Sequence, residues 1–215
     1  MAIKIHGMPQ SGCTLRVLAA AHEKEIDYEL VHVDLKTGAH KHPSFLSLNP
    51  FGQVPVFQDG DLTLIESRAI TRYIAYAYEN QGTPLIYQDP LQMAHLTVGL
   101  EIEAHQFDPV ASKLGWELVY KNYLGMQTDE ELVKEYEEKF AKILDIYEVY
   151  LSKNKYAGGN SFGLADVHHM PALETLNGTR LSKMIDERPH VSAWCKDILS
   201  RPSWQKCLAI KNAAH

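Results

Sequence analysis

The hydrophobic periodicity of the chain changes near residue 80, and this change constrains the fold more than any other feature of the sequence. Before that point, apolar residues alternate in some segments and recur at helical spacing in others, whereas the rest of the chain shows almost only helical spacing. Clustered turn formers separate the two parts, from Asn80 to Pro84 and again at Asp89-Pro90. The pattern predicts an α/β domain over residues 1–79, a linker over residues 80–90 and an all-helical domain over residues 91–215.

The first part of the chain carries signals for four strands. Ile3 and Ile5 alternate with polar residues, a helical pattern follows, and residues 28–33 indicate a second strand. A strand, a helix and a strand within about thirty residues fit a parallel crossover unit. Asp59-Gly60 between two apolar stretches indicates an antiparallel hairpin, and a further helix begins near Ser67. The predicted order, β-α-β-α-β-β-α, is that of a thioredoxin-like domain.

The second part of the chain predicts a helical bundle. A long apolar-periodic stretch covers residues 91–124, and Pro109 within it must kink or interrupt the helix. Thr128 and Glu131 form a T-x-x-E capping box before the next apolar stripe. A shorter helix is expected over about residues 164–176.

Composition excludes several classes of partner. The chain has 21 basic and 27 acidic side chains, and its net charge of -6 gives no attraction to nucleic acid or to anionic membranes. No apolar run approaches the ~20 residues of a membrane span, and no secretory signal is visible, so a cytoplasmic protein without membrane partners is expected. Three cysteines without a C-x-x-C pair, and histidines without H-E-x-x-H, predict neither a disulfide framework nor a metal site.

The turn between the first predicted strand and the first predicted helix places Ser11 at the start of that helix. Backbone N–H groups and the helix dipole favour a negative charge at such a position, and a serine hydroxyl can share that role. Serine is also a favoured N-cap residue, so Ser11 is equally consistent with a residue that only caps the helix.

The segment N-P-F-G-Q-V-P at residues 49–55 places a proline where a strand begins. If the Val54–Pro55 peptide is cis, the preceding backbone turns outward. The N–H and C=O groups of Val54 can then pair with a peptide that lies alongside as an extra strand. An ordinary edge-strand proline is the alternative, because only ~5–6% of X-Pro bonds in folded proteins are cis.

Glu66 and Ser67 lie at the end of the predicted hairpin, directly before a helix. Ser67 can cap that helix while the N-terminal N–H groups bind a carboxylate, and Glu66 can receive an ammonium group. His40 and Lys41 add two candidate cations in a polar loop. A capped helix and a solvated charged loop explain the same residues without a ligand.

Taken together, these motifs resemble the plant phi class of glutathione transferases over nearly the whole chain. The likeness rests on residues 49–55, 59–62 and 66–70 and, in the second domain, on L-A-D at 164–166 followed by two histidines. One departure is Gly163, since relatives of this fold often have threonine or serine three residues before the aspartate. Glycine weakens that helix cap by only a few tenths of a kcal/mol.

The resemblance implies a role for each matched residue. By that likeness Ser11 is the catalytic hydroxyl, and glutathione is bound by His40 and Lys41 at its glycyl end, by Gln53 and Val54 before a cis Pro55, and by Glu66 and Ser67 at its γ-glutamyl end. The resemblance also implies a homodimer in which Phe51 enters the helical domain of the partner. Glutathione is a co-substrate in this family, and no cofactor is implied.

Ser11 needs to supply only a small free energy to stabilise the thiolate of glutathione. A free thiol has a pKa of ~8.5, and only the thiolate attacks an electrophile. Lowering that pKa by about two units requires ~2.7 kcal/mol, whereas a hydrogen bond to a charged group supplies ~1.5–3 kcal/mol and a helix terminus ~0.3–2 kcal/mol. A serine hydroxyl at a helix start is therefore sufficient, with no histidine base.

The second substrate is expected between the domains, against apolar side chains of the helical domain. The candidates recur at roughly helical spacing and are Leu114, Leu118, Val119 and Tyr123. The same four residues fit the core of a helical bundle. Conjugation of small hydrophobic electrophiles and reduction of organic hydroperoxides both draw on the same thiolate.

Two other classes of function remain open. A thiol transferase using Cys13 is one, because a cysteine near a helix start can have a lowered pKa. Relatives that work this way carry cysteine where Ser11 stands, which argues against it. A non-catalytic carrier of hydrophobic ligands is the other, since one fold supports several functions.

Overall fold

The protein is described over residues 2–214 by a computed structural model, in which the chain divides into two units. The first unit comprises the residues up to Ile86 together with the C-terminal segment from Pro202 onward. Its elements are β1 (Ile3–Gly7), α1 (Gly12–Glu23), β2 (Tyr28–His32), α2 (Pro43–Leu46), β3 (Val56–Asp59), β4 (Leu62–Leu64), α3 (Ser67–Ala77) and α11 (Pro202–Ala213).

The four strands form one mixed sheet with the order β2-β1-β3-β4. β1 pairs in parallel with β2 and antiparallel with β3, which in turn pairs antiparallel with β4. This topology confirms the predicted thioredoxin-like order. The hairpin turn is Gly60-Asp61, because Asp59 lies opposite Leu62, so the turn falls one residue later than the predicted Asp59-Gly60.

Side-chain alternation and helical periodicity explain how this sheet and its helices pack. Ile3 and Ile5 of β1 are buried, whereas Lys4 between them is exposed. On α3, Ile70 and Ile74 lie one turn apart and are both fully buried. The N-termini of α1 and α3 follow the ends of β1 and β4, and this arrangement positions the candidate site.

The last helix, α11, belongs to the first unit, although the sequence pattern placed all of residues 91–215 in the helical domain. Trp204 and Cys207 of α11 are fully buried. The Ser203 hydroxyl donates to the Glu23 carboxylate on α1, and the Ser203 carbonyl oxygen lies 3.0 Å from Nδ1 of His22. The predicted all-helical domain of residues 91–215 included this segment, but helical spacing alone does not indicate which unit the apolar residues of a helix pack against.

The second unit, Tyr87–Arg201, is helical. Its helices are α4 (Pro90–Ile102), α5 (Asp108–Gly115), α6 (Lys121–Tyr123), α7 (Glu130–Leu151), α8 (Leu164–Asn177), α9 (Ser182–Asp186) and α10 (Pro189–Leu199). This confirms the predicted all-helical domain. Across residues 2–214, no helix combines the length and the apolarity needed to cross a membrane.

The long apolar stretch of residues 91–124 is interrupted twice by π-helical turns, at Glu103–Phe107 and Trp116–Tyr120. Pro109 lies in the first turn of α5, directly after the first π-helical turn. Its missing N–H and fixed φ are tolerated there, and the interruption expected at Pro109 is present.

The predicted capping box of α7 is wrong by one residue. The N-cap is Asp129, whose carboxylate accepts from the Leu132 N–H at 3.0 Å. Thr128 does not cap the helix, because its hydroxyl donates to the Glu117 carbonyl at 2.9 Å. Aspartate and threonine are both good N-cap residues, and this tertiary contact decides between them.

Candidate active site

A cavity of about 400 Å³ lies in the first unit, and the residues predicted to bind glutathione line it. The structure brings together at this cavity His40, Lys41, Gln53, Val54, Pro55, Glu66 and Ser67. They come from three separate parts of the chain, the loop before α2, the segment before β3 and the start of α3. The fold therefore gathers residues that are up to 27 positions apart in sequence, from His40 to Ser67.

The loop before β3 is held by the side chain of Asn49, which is almost fully buried. Its amide nitrogen donates to the Gln53 carbonyl at 2.6 Å, and its amide oxygen accepts from the Phe51 N–H at 3.0 Å. Gly52 has a φ of +58°, and a Cβ there would lie 2.8 Å from the His40 carbonyl oxygen. Asparagine and glycine are therefore needed for the shape of this loop.

Lys41 lies at the cavity with two of its three donor positions occupied. Its Nζ donates to the carbonyl oxygens of Phe51 at 3.2 Å and Gly52 at 2.9 Å. An ammonium group carries three donors, so one remains for an anion. His40, on the same loop, has a buried Nδ1 without a hydrogen-bond partner.

The Val54–Pro55 peptide is cis, as the resemblance implied. The antiparallel register between β1 and β3 begins with Val56 opposite His6. The backbone of Val54 therefore lies outside the ladder of the sheet, beside the cavity. A peptide that pairs with Val54 would extend this region as an added strand.

The start of α3 supplies a carboxylate, a hydroxyl and backbone N–H groups to the cavity. Ser67 is its first residue and is 6% exposed, while the side chain of Glu66 is exposed. Glu66 has a φ of +67°, a left-handed conformation that is uncommon for a residue other than glycine. Its side chain makes no capping hydrogen bond, so the first N–H groups of α3 are not capped by it. Such groups favour an anionic partner.

Ser11 is the N-cap of α1, and the structure does not place it among the residues that line the cavity. Its hydroxyl oxygen accepts from the Thr14 N–H at 3.4 Å. A hydroxyl has two acceptor lone pairs and one hydrogen, so this cap leaves the hydrogen available to donate. Capping and donation to a thiolate are therefore compatible.

Cys13 lines the cavity and is exposed, two residues after Ser11. The other two cysteines are buried, and burial raises the pKa of the Cys195 and Cys207 thiols to about 12. Both stay protonated near neutral pH, and protonated thiols are poor nucleophiles. Any thiol chemistry of the protein itself would therefore involve Cys13.

Arg16 was not among the site residues predicted from the sequence. Arg16 lies on α1, is 3% exposed, and donates from Nη1 to the Ser67 hydroxyl at 2.9 Å. The available signal was an arginine between Leu15 and Val17 on a helix whose neighbouring positions are apolar. A buried arginine requires polar partners, so an arginine on an apolar helix face indicates a polar group nearby.

The four residues predicted to face the electrophile differ in burial within the second unit. Leu114 is fully buried and is a core residue of that unit. Leu118 and Val119 are half-buried, and Tyr123 is 52% exposed. Leu118 and Val119 belong to the second π-helical turn, which adds a residue to the turn and alters the expected helical face. The role of Leu118, Val119 and Tyr123 stays a prediction.

Comparison with known proteins relates both units to one family. Residues 1–76 match the family model described as "Glutathione S-transferase, N-terminal domain", and residues 93–202 match "Glutathione S-transferase, C-terminal domain". A curated glutathione S-transferase from Silene vulgaris is 55% identical, with 100% of each chain covered.

Solved structures agree with this assignment. Glutathione transferase F7 from Populus trichocarpa is 43% identical, with a TM-score of 0.95 over 98% of this chain and 100% of that chain. Glutathione S-transferase I from mais, solved in complex with an atrazine glutathione conjugate, is 35% identical with a TM-score of 0.91, and all of each chain is covered. The chain therefore belongs to the glutathione transferases and, within them, to the plant phi class.

Proposed function

We propose that this transferase binds glutathione in the cavity of its first unit and conjugates it to small hydrophobic electrophiles. In this proposal the Ser11 hydroxyl donates a hydrogen bond to the glutathione thiolate. The observation that carries it is that seven residues assigned to glutathione from sequence line a single cavity.

The chemistry of glutathione matches the groups around the cavity. Its γ-glutamyl end has an ammonium group and a carboxylate, which suit the Glu66 carboxylate and the Ser67 hydroxyl. Its glycyl carboxylate suits Lys41, which keeps one free donor. Its central peptide suits the backbone of Val54, which lies outside the sheet ladder. In this proposal each end of glutathione therefore binds a group of opposite charge or a hydrogen-bond donor.

Ser11 acts in this proposal as a donor to sulfur and never as a covalent nucleophile. It lies at the N-terminus of α1, so backbone N–H groups and the helix dipole add to its hydrogen bond. The combined contribution is enough for the ~2.7 kcal/mol that a shift of about two pKa units requires. The thiolate is then the attacking species near neutral pH.

The electrophile is proposed to be small and hydrophobic, with Leu118, Val119 and Tyr123 as its contacts. The related mais enzyme was solved with a glutathione conjugate of atrazine, which supports conjugation of an aromatic electrophile. In this proposal the same thiolate also reduces organic hydroperoxides: it attacks a peroxide oxygen, and the O–O bond breaks to release the alcohol and leave glutathione sulfenic acid. A second glutathione then converts the sulfenic acid to glutathione disulfide and water.

The proposal also includes a homodimer joined in part by Phe51, whose side chain is 66% exposed. A large exposed aromatic residue on an ordered loop is typical of a binding surface. A cytoplasmic location stays a prediction.

The decisive experiment measures glutathione binding and conjugation on the same protein sample. We expect saturable binding of glutathione in a calorimetric titration and a conjugation rate with a nitro-activated aryl chloride that saturates with glutathione. An organic hydroperoxide, assayed with glutathione in parallel, measures the second reaction. S-methylglutathione is the matched control, because it retains both ends of the ligand but has no ionisable thiol.

Two outcomes would favour the other classes of function. Binding of hydrophobic ligands without conjugation or peroxide reduction would indicate a carrier. A mixed disulfide between glutathione and Cys13, detected by mass spectrometry and required for turnover, would indicate a thiol transferase.

A further inference from the structure

The buried guanidinium of Arg16 lies next to the proposed γ-glutamyl subsite and has no role in the function proposed so far. Arg16 is 3% exposed, and Ser67, which accepts its hydrogen bond, is 6% exposed. A second contact joins Nη1 of Arg16 to Sγ of Cys13 at 3.8 Å. A buried arginine needs polar partners, and the hydroxyl of Ser67 is one of those that Arg16 has.

The hydrogen bond between Arg16 and Ser67 makes the Ser67 hydroxyl oxygen an acceptor toward Arg16. Guanidinium carries only donors, so the Ser67 oxygen must be the acceptor in the 2.9 Å contact. The single hydroxyl hydrogen of Ser67 is then directed elsewhere. Because Ser67 lines the cavity, that hydrogen is available to a ligand there. A hydroxyl paired in this way serves as a donor, which suits an acceptor-only group such as a carboxylate.

We propose that Arg16 is a positioning residue for glutathione, one that holds the Ser67 hydroxyl as a donor to the α-carboxylate of the γ-glutamyl residue. The inference rests on the proposed glutathione site and goes beyond it by assigning a determinant of specificity for the carboxylate. Hydrogen bonds assisted by a charge are roughly twice as strong as neutral ones. The effect of Arg16 therefore passes through Ser67.

Arg16 lies on the same helix as Ser11, the proposed donor to sulfur. Ser11 caps the N-terminus of α1, and Arg16 lies little more than one turn further along the same helix. One helix thus carries both the proposed donor to sulfur, Ser11, and the residue that positions the donor to the γ-glutamyl carboxylate, Arg16. A helix is a rigid element, so the two groups keep a fixed separation.

The test compares two ligands that differ only in the carboxylate. The first is glutathione, and the second is γ-aminobutyryl-cysteinylglycine, which keeps the amine, the thiol and the glycyl carboxylate. We expect Arg16→Met to weaken glutathione binding by about tenfold in calorimetric titrations, and to change the affinity for the analogue by less than about twofold. The rate at saturating glutathione should change little, because the interaction is equally strong in the ground and transition states.

Three further variants separate positioning from structure. Arg16→Lys keeps the charge and a donor and should recover part of the lost affinity. In a Ser67→Ala background, Arg16→Met should have little further effect on glutathione affinity, because the hydroxyl that Arg16 positions has been removed. Arg72→Met removes the same charge from an exposed position on α3 and should leave the affinity unchanged.

The outcomes that overturn the inference differ from those that overturn the proposed function. If the wild type binds no glutathione, the proposed function fails and the inference with it. If the wild type binds glutathione but Arg16→Met loses equal affinity for both ligands, or adds its full effect to that of Ser67→Ala, only the role of Arg16 fails. Loss of the folded state in both Arg16 variants, seen in thermal unfolding, would make Arg16 a structural residue instead.

Discussion

The Ser11 hydroxyl has enough hydrogen-bonding capacity for two partners, and the structure uses only part of it. Its oxygen accepts from the Thr14 N–H at 3.4 Å, which is longer than the usual range for such a bond. The cap is therefore weak, and replacing the hydroxyl should disturb α1 less than it disturbs a bound thiolate. This difference separates the catalytic interpretation of Ser11 from the structural one.

For Ser11→Ala we expect the pKa of bound glutathione to rise by about one to two units, if the lost hydrogen bond contributes ~1.5–3 kcal/mol. Conjugation near neutral pH should then fall by roughly ten- to a hundredfold and should recover as pH is raised through the new pKa. The ultraviolet absorbance of the bound thiolate, titrated against pH beside the conjugation rate, measures both effects. Glutathione affinity should change less, because the other contacts remain.

Ser11→Thr is the matched control, because it keeps a hydroxyl at the N-cap and should keep most of the thiolate. A folded Ser11→Ala variant with the wild-type thiolate titration and rate would show that the hydroxyl only caps α1.

Glu66→Ala addresses the other end of the ligand. We expect a rise of about tenfold in KM for glutathione and a smaller change in kcat, because the proposed contact with the ammonium group is remote from sulfur and is lost equally in ground and transition states. Steady-state kinetics at varied glutathione concentration measure the split. Glu66→Gln should be almost as impaired, since the proposed contact depends on charge. An unchanged KM in both variants would contradict the assignment of Glu66.

The residues proposed to bind glutathione were chosen from short motifs and line one cavity, whereas Arg16 was not chosen, for a physical reason. The N-P-F-G-Q-V-P and E-S motifs combine turn, cap and charge signals in consecutive residues, so they can be recognised from the sequence alone. The contact from Arg16 to Ser67 spans 51 positions and depends on how α1 packs near α3. The residues next to a buried arginine in the sequence do not indicate which distant residue will accept its hydrogen bond.

At the level of secondary structure, periodicity predicted the existence of the helices better than their details. α7 was expected from its apolar stripe, yet its cap is Asp129 and not Thr128. The π-helical turns at Glu103–Phe107 and Trp116–Tyr120 were not predicted, because one extra residue in a turn leaves no strong local signal. Each such turn changes which side chains share a face, which is why the predicted electrophile residues differ in burial.

The cap of α7 gives a direct test at this scale. We expect Asp129→Ala to lower the free energy of unfolding by about 1 kcal/mol, because the Leu132 N–H loses its acceptor and the helix N-terminus loses a negative charge. Thermal or urea unfolding followed by circular dichroism measures the change. Asp129→Asn keeps a capping oxygen and should recover most of the stability. A Thr128→Val variant that is less stable than Asp129→Ala would indicate that the Thr128 contact with Glu117, and not the cap, dominates this region.

For the whole molecule, the sequence predicted two units and the class of each, but not the position of the last helix. The change of periodicity near residue 80 reflects a real change from α/β to all-helical architecture. α11 joins the first unit through its buried Trp204 and through hydrogen bonds of Ser203 with α1. A helical pattern at the end of a chain does not indicate that the last helix packs on the first unit, because that packing depends on contacts between residues far apart in sequence.

The proposed dimer contact depends on the conformation of the loop that carries Phe51 and on the exposure of the Phe51 ring. Asn49 accepts from the Phe51 N–H, and Lys41 donates to the Phe51 carbonyl oxygen, so the backbone on both sides of the aromatic ring is held. The ring itself is 66% exposed. A loop whose backbone is held in this way loses less conformational entropy when its aromatic side chain binds a partner. Lys41 thus links the proposed glutathione subsite with the proposed dimer contact.

We therefore expect Phe51→Ser to weaken the dimer strongly while each chain stays folded. In a two-fold symmetric dimer the same contact occurs twice, and burying one phenylalanine contributes ~1.5–3 kcal/mol, so the loss is about 3–6 kcal/mol per dimer. The dissociation constant should rise by roughly two to four orders of magnitude. Sedimentation velocity over a range of protein concentrations measures this, with Ile146→Ser as a control, since it removes another exposed apolar side chain from α7. If the wild type sediments as a monomer at micromolar concentration, the dimer proposal is wrong. If Phe51→Ser and Ile146→Ser sediment alike as dimers, the dimer stands but Phe51 does not hold it together.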